Sequence, residues 1–271
     1  MKNIKKYLKY APIAGLILIT LCVWVVPAIY KVDPNYTDKS SIAQAPSKSH
    51  PMGTDEVGRD ILARLIYGGR VSIGVGIIAS LLQLIIATFF GVVAGYFGKR
   101  IDEMILRLID IFLCFPFYIL ALSLAAVMGP STKNLILIIV FFSWAQNARI
   151  IRTRVYELKN EDFIRYYKIA GFSSVEIIMR HIIKNISETL AVCFTISSGR
   201  AILMEASLSF LGVGVQYPNP SWGNILSSAM NLTTIESQWW MWGFAAIAVV
   251  MTVLLIHEIS NLLKGETHAG N

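Results

Sequence analysis

Four long stretches without a single charged side chain constrain this chain most. They cover residues 10–30, 71–98, 111–132 and 237–256. Each reaches the roughly 20 residues that a helix needs to cross a bilayer. Backbone amides in lipid must bond within their own segment, and barrel strands are only about 9–11 residues long. The stretches therefore predict membrane-spanning helices.

Two weaker segments raise the predicted number of spans to six. Residues 134–148 carry no charge, and residues 186–213 are apolar apart from Glu188, Arg200 and Glu205. Only 15% of the chain is charged, against about 25% in soluble proteins. The predicted fold class is therefore an all-α integral membrane protein with six transmembrane helices.

The first 31 residues predict a short cytoplasmic tail followed by a membrane anchor. The alternative is a cleaved signal peptide, because Lys2, Lys5, Lys6 and Lys9 precede the apolar run. That run is longer than the 7–15 apolar residues of a signal peptide, and no small-residue cleavage site clearly follows it. The anchor is therefore favoured.

The basic residues predict the orientation. If both termini are cytoplasmic, sixteen lysines and arginines lie inside and seven outside, with Arg200 inside a span, which together account for all 24. This excess obeys the positive-inside rule. The net charge of +7 therefore reflects topology in a multi-pass protein of the cell membrane, and no nucleic acid is expected as a partner.

Residues 32–70 form the predicted outer segment. Its end, residues 59–67, has apolar residues at helical spacing and predicts an interfacial helix. Gly68 and Gly69 predict a turn into the second span. Further along, Gly91-x-x-x-Gly95 permits close helix approach in lipid, and Pro116 predicts a kink in the third span.

Three residues near the fifth span are candidates for the pore or its gate. Arg200 and Glu205 are charges inside a span, where each costs roughly 2.5–3.5 kcal/mol. They are expected to face protein or a water-filled path, so lining a substrate path and pairing between helices both stay open. Trp222 lies in an irregular outer loop and could anchor it at the interface or belong to a gate.

A polar island between the fourth and fifth spans predicts a helix, a glycine hinge and a second helix on the inner side. Asn160 is the predicted N-cap of the first helix, Gly171 its terminator, and Ser173-x-x-Glu176 the capping box of the second. An amphipathic helix held in this way suits docking in a groove of another protein. The alternative is a solvated loop on the lipid surface. The candidate docking residues are Phe163, Arg165, Tyr166, Tyr167, Ala170 and Gly171.

The sequence offers no chemistry of its own. The nearest approach to a phosphate-binding loop, residues 95–100, is too short and lacks the required Ser or Thr. The four histidines and three cysteines are scattered, so no metal site or catalytic residue is predicted. An enzyme is therefore disfavoured, and ATP could act only through a partner.

Three stretches carry a resemblance to a known family. Arg165-Tyr166-Tyr167-x-x-x-Gly171 resembles the Glu-Ala-Ala-x-x-x-Gly ATPase-coupling motif of binding-protein-dependent ABC importer permeases, with the glycine kept and the triplet changed. Lys184 stands where that family usually has proline. Residues 50–64 and 205–223 look like the corresponding runs of the oligopeptide/dipeptide/nickel subfamily. The chain is similar to the "C" type permease of such importers.

The resemblance implies a type-1 ABC importer transmembrane domain over residues 71–262, with a coupling region at about 157–176 and a cytoplasmic tail at 263–271. It implies a heterodimer with a sister permease, two cytoplasmic ATPase subunits that bind ATP and Mg²⁺, and an extracytoplasmic substrate-binding protein. Peptides are the expected cargo, with nickel or a metallophore complex as the alternative. An ion-coupled secondary transporter also stays open, although the internal repeats usual in that class are not evident.

Overall fold

The structure, a computed structural model, describes the backbone of residues 2–269 and the side chains of residues 10–264. Helices dominate it, and no strand forms within that described backbone. Two 3₁₀ turns, Lys39–Ser41 and Ser227–Met230, and a π-helical turn, Ile178–Ile182, interrupt the α-helices. The α-helices are α1 Lys2–Ile29, α2 Ile61–Phe97, α3 Lys99–Cys114, α4 Phe117–Met128, α5 Thr132–Lys159, α6 Asp162–Ile169, α7 Ser174–Ile177, α8 Ile183–Asn185, α9 Ser187–Phe210, α10 Trp222–Leu226, α11 Leu232–Ser237 and α12 Trp240–Ala269.

The prediction of six spans is confirmed, with one of them broken. Within the described residues, α1, α2, α5, α9 and α12 are each long and apolar enough to cross a membrane, and α3 with α4 passes the same test as a pair. These two helices meet at 82°. The predicted kink at Pro116 is therefore a full break. Phe115 is extended, with ψ 133°, which is the conformation that a following proline favours.

The interfacial helix predicted at residues 59–67 is wrong as a separate element. α2 runs without interruption from Ile61, where the Asp60 side chain accepts a hydrogen bond from the Ala63 N–H, to Phe97. Gly68 and Gly69 lie inside this helix. A Cβ at Gly69 would lie 2.7 Å from the Val23 side chain and 2.9 Å from that of Trp222, so the two glycines permit close packing within a continuous helix.

The contact between α2 and α5 forms the centre of the bundle. A Cβ at Gly91 would lie 2.8 Å from the Ala148 carbonyl oxygen, and one at Gly95 would lie 2.6 Å from that of Arg152. The predicted close approach at this glycine pair is confirmed. Small residues matter here because lipid supplies no hydrophobic drive for helices to associate.

α9 packs against the same two helices through small polar side chains. The hydroxyls of Ser80 on α2 and Ser198 on α9 are 2.9 Å apart, and the Asn147 amide on α5 donates to the Ser197 hydroxyl at 2.7 Å. All four side chains are buried. α12 and α1 cover the other side of α9 and α2, where Val23, Trp222 and Val249 share a cluster. Buried side-chain hydrogen bonds, together with this apolar cluster, therefore join the helices of the bundle.

The ends of the chain fit the predicted divisions only in part. α12 continues as helix to Ala269, so the predicted tail at 263–271 is mostly helical in its backbone. The side chains of residues 1–9 and 265–271, which include the four lysines of the predicted N-terminal tail, lie outside the described side chains. The predicted domain boundaries stay predictions.

Replacing Gly95 by valine should lower the free energy of unfolding by about 1–3 kcal/mol, because the added carbons would overpack the contact between α2 and α5. The matched control is Gly74→Val in the same helix, where no heavy atom lies within 4 Å of an added Cβ. Thermal unfolding of the detergent-solubilised protein would compare the two variants. Equal midpoints for both would contradict the account of this contact.

Candidate functional site

Residues 160–186, which we term the elbow, connect α5 to α9 at one end of the bundle. α6 ends at Ile169 with Ala170 as its C-cap, and Gly171 follows with φ +86°, so the predicted termination of the helix by a glycine with positive φ is confirmed. Its role as a hinge stays a prediction. The predicted N-cap is wrong: Asn160 ends α5, and Glu161 precedes α6 without a side-chain cap. Asn160 instead donates from its amide to the Tyr156 carbonyl at 3.0 Å.

The second helix of the elbow begins as predicted, with half of the capping box. The Ser173 hydroxyl accepts a hydrogen bond from the Glu176 N–H at 3.2 Å. The Glu176 carboxylate pairs with Arg180 at 2.8 Å, and no reciprocal bond to Ser173 is found in this described segment. The path then runs through the π turn Ile178–Ile182 into α9.

One side of the elbow is buried in the end of the bundle. Ile164 on α6 has no exposed surface, and neither do Ile177, Ile182 and Ile186. These four side chains share a core cluster with Val155 and Leu158 of α5, Tyr96 of α2 and Ile109 of α3. Sequence reasoning missed Ile164 as the anchor of α6. Movement of α6 would therefore move the ends of three other helices.

Aromatic and charged side chains reinforce this attachment. The Tyr167 ring stacks on His181 at 3.8 Å between centroids and meets Phe172 edge-on at 5.2 Å. The Lys168 ammonium lies 5.2 Å from the centre of the Tyr96 ring. Burial lowers the pKa of Lys168, and the positive charges of Lys159 and Arg165 lower it further.

The other side of the elbow is apolar and exposed. The exposed fraction is 87% at Ile169, 68% at Tyr166 and 69% at Val175. Phe163 and Met179 are also exposed. We term these five residues the exposed patch. A large apolar patch on a protein surface marks an interaction site or contact with lipid.

The structure separates the six residues predicted to dock. Phe163 and Tyr166 belong to the exposed patch, whereas Tyr167 packs inward. Arg165 is exposed beside Asp162, at 3.5 Å. Ala170 and Gly171 form the exposed corner. Ile169, the most exposed large side chain of the elbow, was absent from the prediction because the helical spacing of the aromatics pointed elsewhere.

Arg200, near the middle of α9, lines two open cavities beside that helix. Its guanidinium is exposed and donates to the Gln146 side-chain oxygen on α5. Arg200, Gln146 and Asn147 line both a cavity of about 330 Å³ and a neighbouring one of about 170 Å³. The walls between these polar groups are mostly apolar, with Ile150 and Ile196 in the larger cavity and Phe112 and Phe142 in the smaller one.

Glu205, the other charge predicted within α9, is fully buried. One carboxylate oxygen accepts from the Ser209 hydroxyl at 2.8 Å, and that hydroxyl also accepts from the Val215 N–H at 3.0 Å. The second carboxylate oxygen has no hydrogen-bond partner among the described residues. Glu205 therefore faces protein, where it supports the loop after α9.

Trp222 is buried, with 1% of its surface exposed, so the expectation of an interfacial anchor is wrong. Its indole N–H donates to the Leu65 carbonyl at 2.9 Å, and its backbone N–H donates to the Ser72 hydroxyl at 3.1 Å. Ser221 and Asn224 form a complete capping box for α10. The loop of residues 212–221 is therefore fixed to α2 at the end of the bundle opposite the elbow, which we term the loop end.

Residues 30–60 cover the loop end through a charged network that the sequence analysis did not identify. The Asp60 carboxylate bonds His50 at 2.9 Å and Tyr30 at 3.3 Å. Burial raises the pKa of Tyr30, and the negative charge of Asp60 raises it further. Asp55 pairs with Arg59 at 2.6 Å and lies 3.7 Å from Arg64. Asp55 precedes α2 and Asp60 caps it. This position before a helix is the only local sequence signal that could have predicted the network.

No group of three or more potential metal-ligating side chains occurs among the described residues. Residues 95–100 come nearest to a phosphate-binding loop in the sequence. Their first residue, Gly95, lies inside α2 and packs against α5, so it cannot cradle a phosphate. The described side chains therefore offer an apolar contact surface at the elbow and polar groups in the cavities lined by Arg200.

Comparison with known proteins matches residues 87–263 to the family of the binding-protein-dependent transport system inner membrane component. The chain is 37% identical to the dipeptide transport system permease protein DppC of Alkalihalophilus pseudofirmus, over 93% of this chain and 83% of that protein. It is 35% identical to a Brucella suis protein named as a peptide permease, over 94% and 85% of the two chains.

Ile164→Ala should lower the free energy of unfolding by about 2–5 kcal/mol, because it opens a cavity under α6. Ile169→Ala, the same change on the exposed side of the same helix, should leave stability within about 0.5 kcal/mol. Thermal unfolding and limited proteolysis of the elbow would compare them. If Ile169→Ala destabilised as much as Ile164→Ala, the assignment of the two sides would be wrong.

Proposed function

The chain belongs to the family of inner membrane components of binding-protein-dependent transport systems, and from that premise we propose that it forms half of the pore of an ATP-driven importer. A sister permease supplies the other half. The exposed faces of α5 and α9 around the cavities lined by Arg200 support this proposal, because a charged cavity open on one side needs a second protein wall in lipid.

The two-sided elbow is the observation that carries the proposal. Its exposed patch offers Tyr166 and Ile169 to a partner, while Ile164 ties the same helix to the bundle. A short amphipathic helix of this kind fits a groove in another protein. We assign the patch to docking on the cytoplasmic ATPase subunits, two per complex, which bind the ATP and Mg²⁺ that this chain has no loop to hold.

The mechanism is alternating access driven from the elbow. When ATP closes the two ATPases, the elbow moves with them, and the contacts of Ile164 and of the Tyr167–His181 stack transmit this movement to α5 and α9. ATP can bias the pore only by the difference in its affinity for the two states. Rigid contact at the elbow is therefore needed for coupling.

The orientation follows from the same assignment. The elbow and both termini lie in the cytoplasm, in agreement with the excess of basic residues predicted for that side. The loop end, with residues 30–60 and the loop of residues 212–221, then faces outward and receives the substrate-binding protein. The chain is placed in the cell membrane as a multi-pass subunit.

Peptides are the proposed cargo. The relatives described above are named for dipeptide and peptide transport, and apolar walls with a few amide and hydroxyl groups suit peptides of varied side chains. The alternative cargo, nickel or its complexes, finds no group of metal-ligating side chains among the described residues.

Uptake by the complete importer tests the proposal. The complex of both permeases and both ATPases would be reconstituted into liposomes, with binding protein and labelled tripeptide outside and ATP within. Tripeptide accumulation that requires both ATP and binding protein is expected. Accumulation that follows an ion gradient without ATP would contradict the proposal and favour a secondary transporter.

Gly171→Val should uncouple ATP hydrolysis from transport, because a β-branched residue is strained at φ +86°. Open space surrounds this position, since no heavy atom lies within 4 Å of an added Cβ, so the effect would come from the backbone and not from a clash. Gly171→Asn is the matched control, because asparagine tolerates this conformation best after glycine.

We expect peptide uptake per ATP hydrolysed to fall about tenfold or more in Gly171→Val, since a strain of about 1–3 kcal/mol would shift the helix, and to stay near wild type in Gly171→Asn. Full coupling in Gly171→Val would refute the hinge role.

A further inference from the structure

We propose that the guanidinium of Arg200 binds the terminal carboxylate of the cargo as it passes through the pore. The inference rests on the proposed function and deepens it, because it assigns the chemical class that the pore selects: solutes with a free carboxylate, such as unmodified peptides.

Arg200 lies near the middle of α9, one of the helices long and apolar enough to cross a membrane. It stands thirteen residues after the first residue of α9, Ser187, and ten before the last, Phe210. At 1.5 Å per residue these separations are about 20 Å and about 15 Å. A charged side chain at this depth is costly, and such residues mark substrate or ion pathways.

No acidic side chain pairs with Arg200 among the side chains that the structure describes. Arg149 and Arg152 on α5 each bond an aspartate, Asp110 and Asp102 respectively. Arg200, by contrast, bonds the neutral amide of Gln146. Among the side chains of residues 10–264 no carboxylate lies within ion-pair distance of it.

Neither acid of α9 is a partner of Arg200. Glu205, five residues further along the helix, is fully buried and accepts from the Ser209 hydroxyl at 2.8 Å. Glu188 precedes Arg200 by twelve residues and lines the same larger cavity, about 18 Å away along the helix. Lys264, at that cavity as well, adds a second positive charge. The cavity therefore presents Arg200 without an acid to neutralise it.

The surroundings of Arg200 suit a carboxylate. Guanidinium offers five N–H donors in a planar fork that matches two carboxylate oxygens. Gln146 accepts from one terminal nitrogen, and Asn147 and Ser197, already bonded to each other at 2.7 Å, are close neighbours in the wall. A bare metal cation would meet a like charge at this point, which disfavours it.

The test uses the complete importer in liposomes and two labelled probes, trialanine and trialanine amide. The measured quantity is the ratio of their initial ATP-dependent uptake rates, with one binding protein throughout. Dividing the ratio of each variant by that of the wild type removes the preference of the binding protein itself.

Arg200→Gln is expected to lower the ratio about tenfold or more, since a hydrogen bond between charged groups contributes about 1.5–3 kcal/mol and 1.4 kcal/mol corresponds to tenfold. Arg200→Lys keeps the charge but loses the fork, so it should lower the ratio about two- to fivefold. Leu203→Ala, at an exposed position three residues further along α9, is the control and should leave the ratio unchanged.

An unchanged ratio in Arg200→Gln, with wild-type uptake intact, would overturn the assignment and leave the proposed function standing. If Arg200→Gln failed to assemble with its partners, Arg200→Lys would decide, because a ratio equal to wild type would exclude a forked contact. Absence of ATP-dependent uptake of either probe by the wild type would instead contradict the proposed function.

Discussion

Close approach of α2 and α5 at Gly91 and Gly95 is the contact on which the rest of this structure depends. Helices in lipid gain little from hiding apolar surface, so they associate where backbones can come near each other. A Cβ at either glycine would come within 3 Å of a carbonyl oxygen of α5. α5 carries the elbow at its end and Gln146 and Asn147 in its middle. Its position therefore sets both the proposed docking site and the cavity lined by Arg200.

The two ends of the bundle are built differently, and the difference suits different tasks. At the elbow, apolar packing around Ile164 and one aromatic stack join a short helix to three long ones. At the loop end, specific hydrogen bonds from Trp222 and the Asp60 network fix irregular backbone to α2. Packing of this kind suits the proposed transmission of movement through the elbow, whereas the fixed backbone of the loop end suits the proposed contact with the substrate-binding protein.

The sequence predicted what backbone chemistry alone decides. Uncharged length predicted the spans, and the need for positive φ predicted the hinge at Gly171. What failed depends on tertiary neighbours. The pair Gly68 and Gly69 suggested a turn, because the sequence cannot show that the Ser221 backbone packs against Gly68 and that Val23 and Trp222 pack against Gly69. Ile164 and Ile169 are identical residues on one short helix, and only the end of α5 decides which of them is buried. The sequence also left open whether Arg200 lines a path or pairs with another helix, because that depends on its neighbours in the folded bundle.

Photo-cross-linking from the exposed patch tests the central claim most directly. A photoreactive phenylalanine analogue would replace Ile169 in the assembled importer, and Val127, which is 85% exposed on α4, would serve as the matched position away from the elbow. The account predicts a covalent product between Ile169 and an ATPase subunit and none from Val127. Cross-links from Ile169 only to lipid, or to the substrate-binding protein, would contradict it.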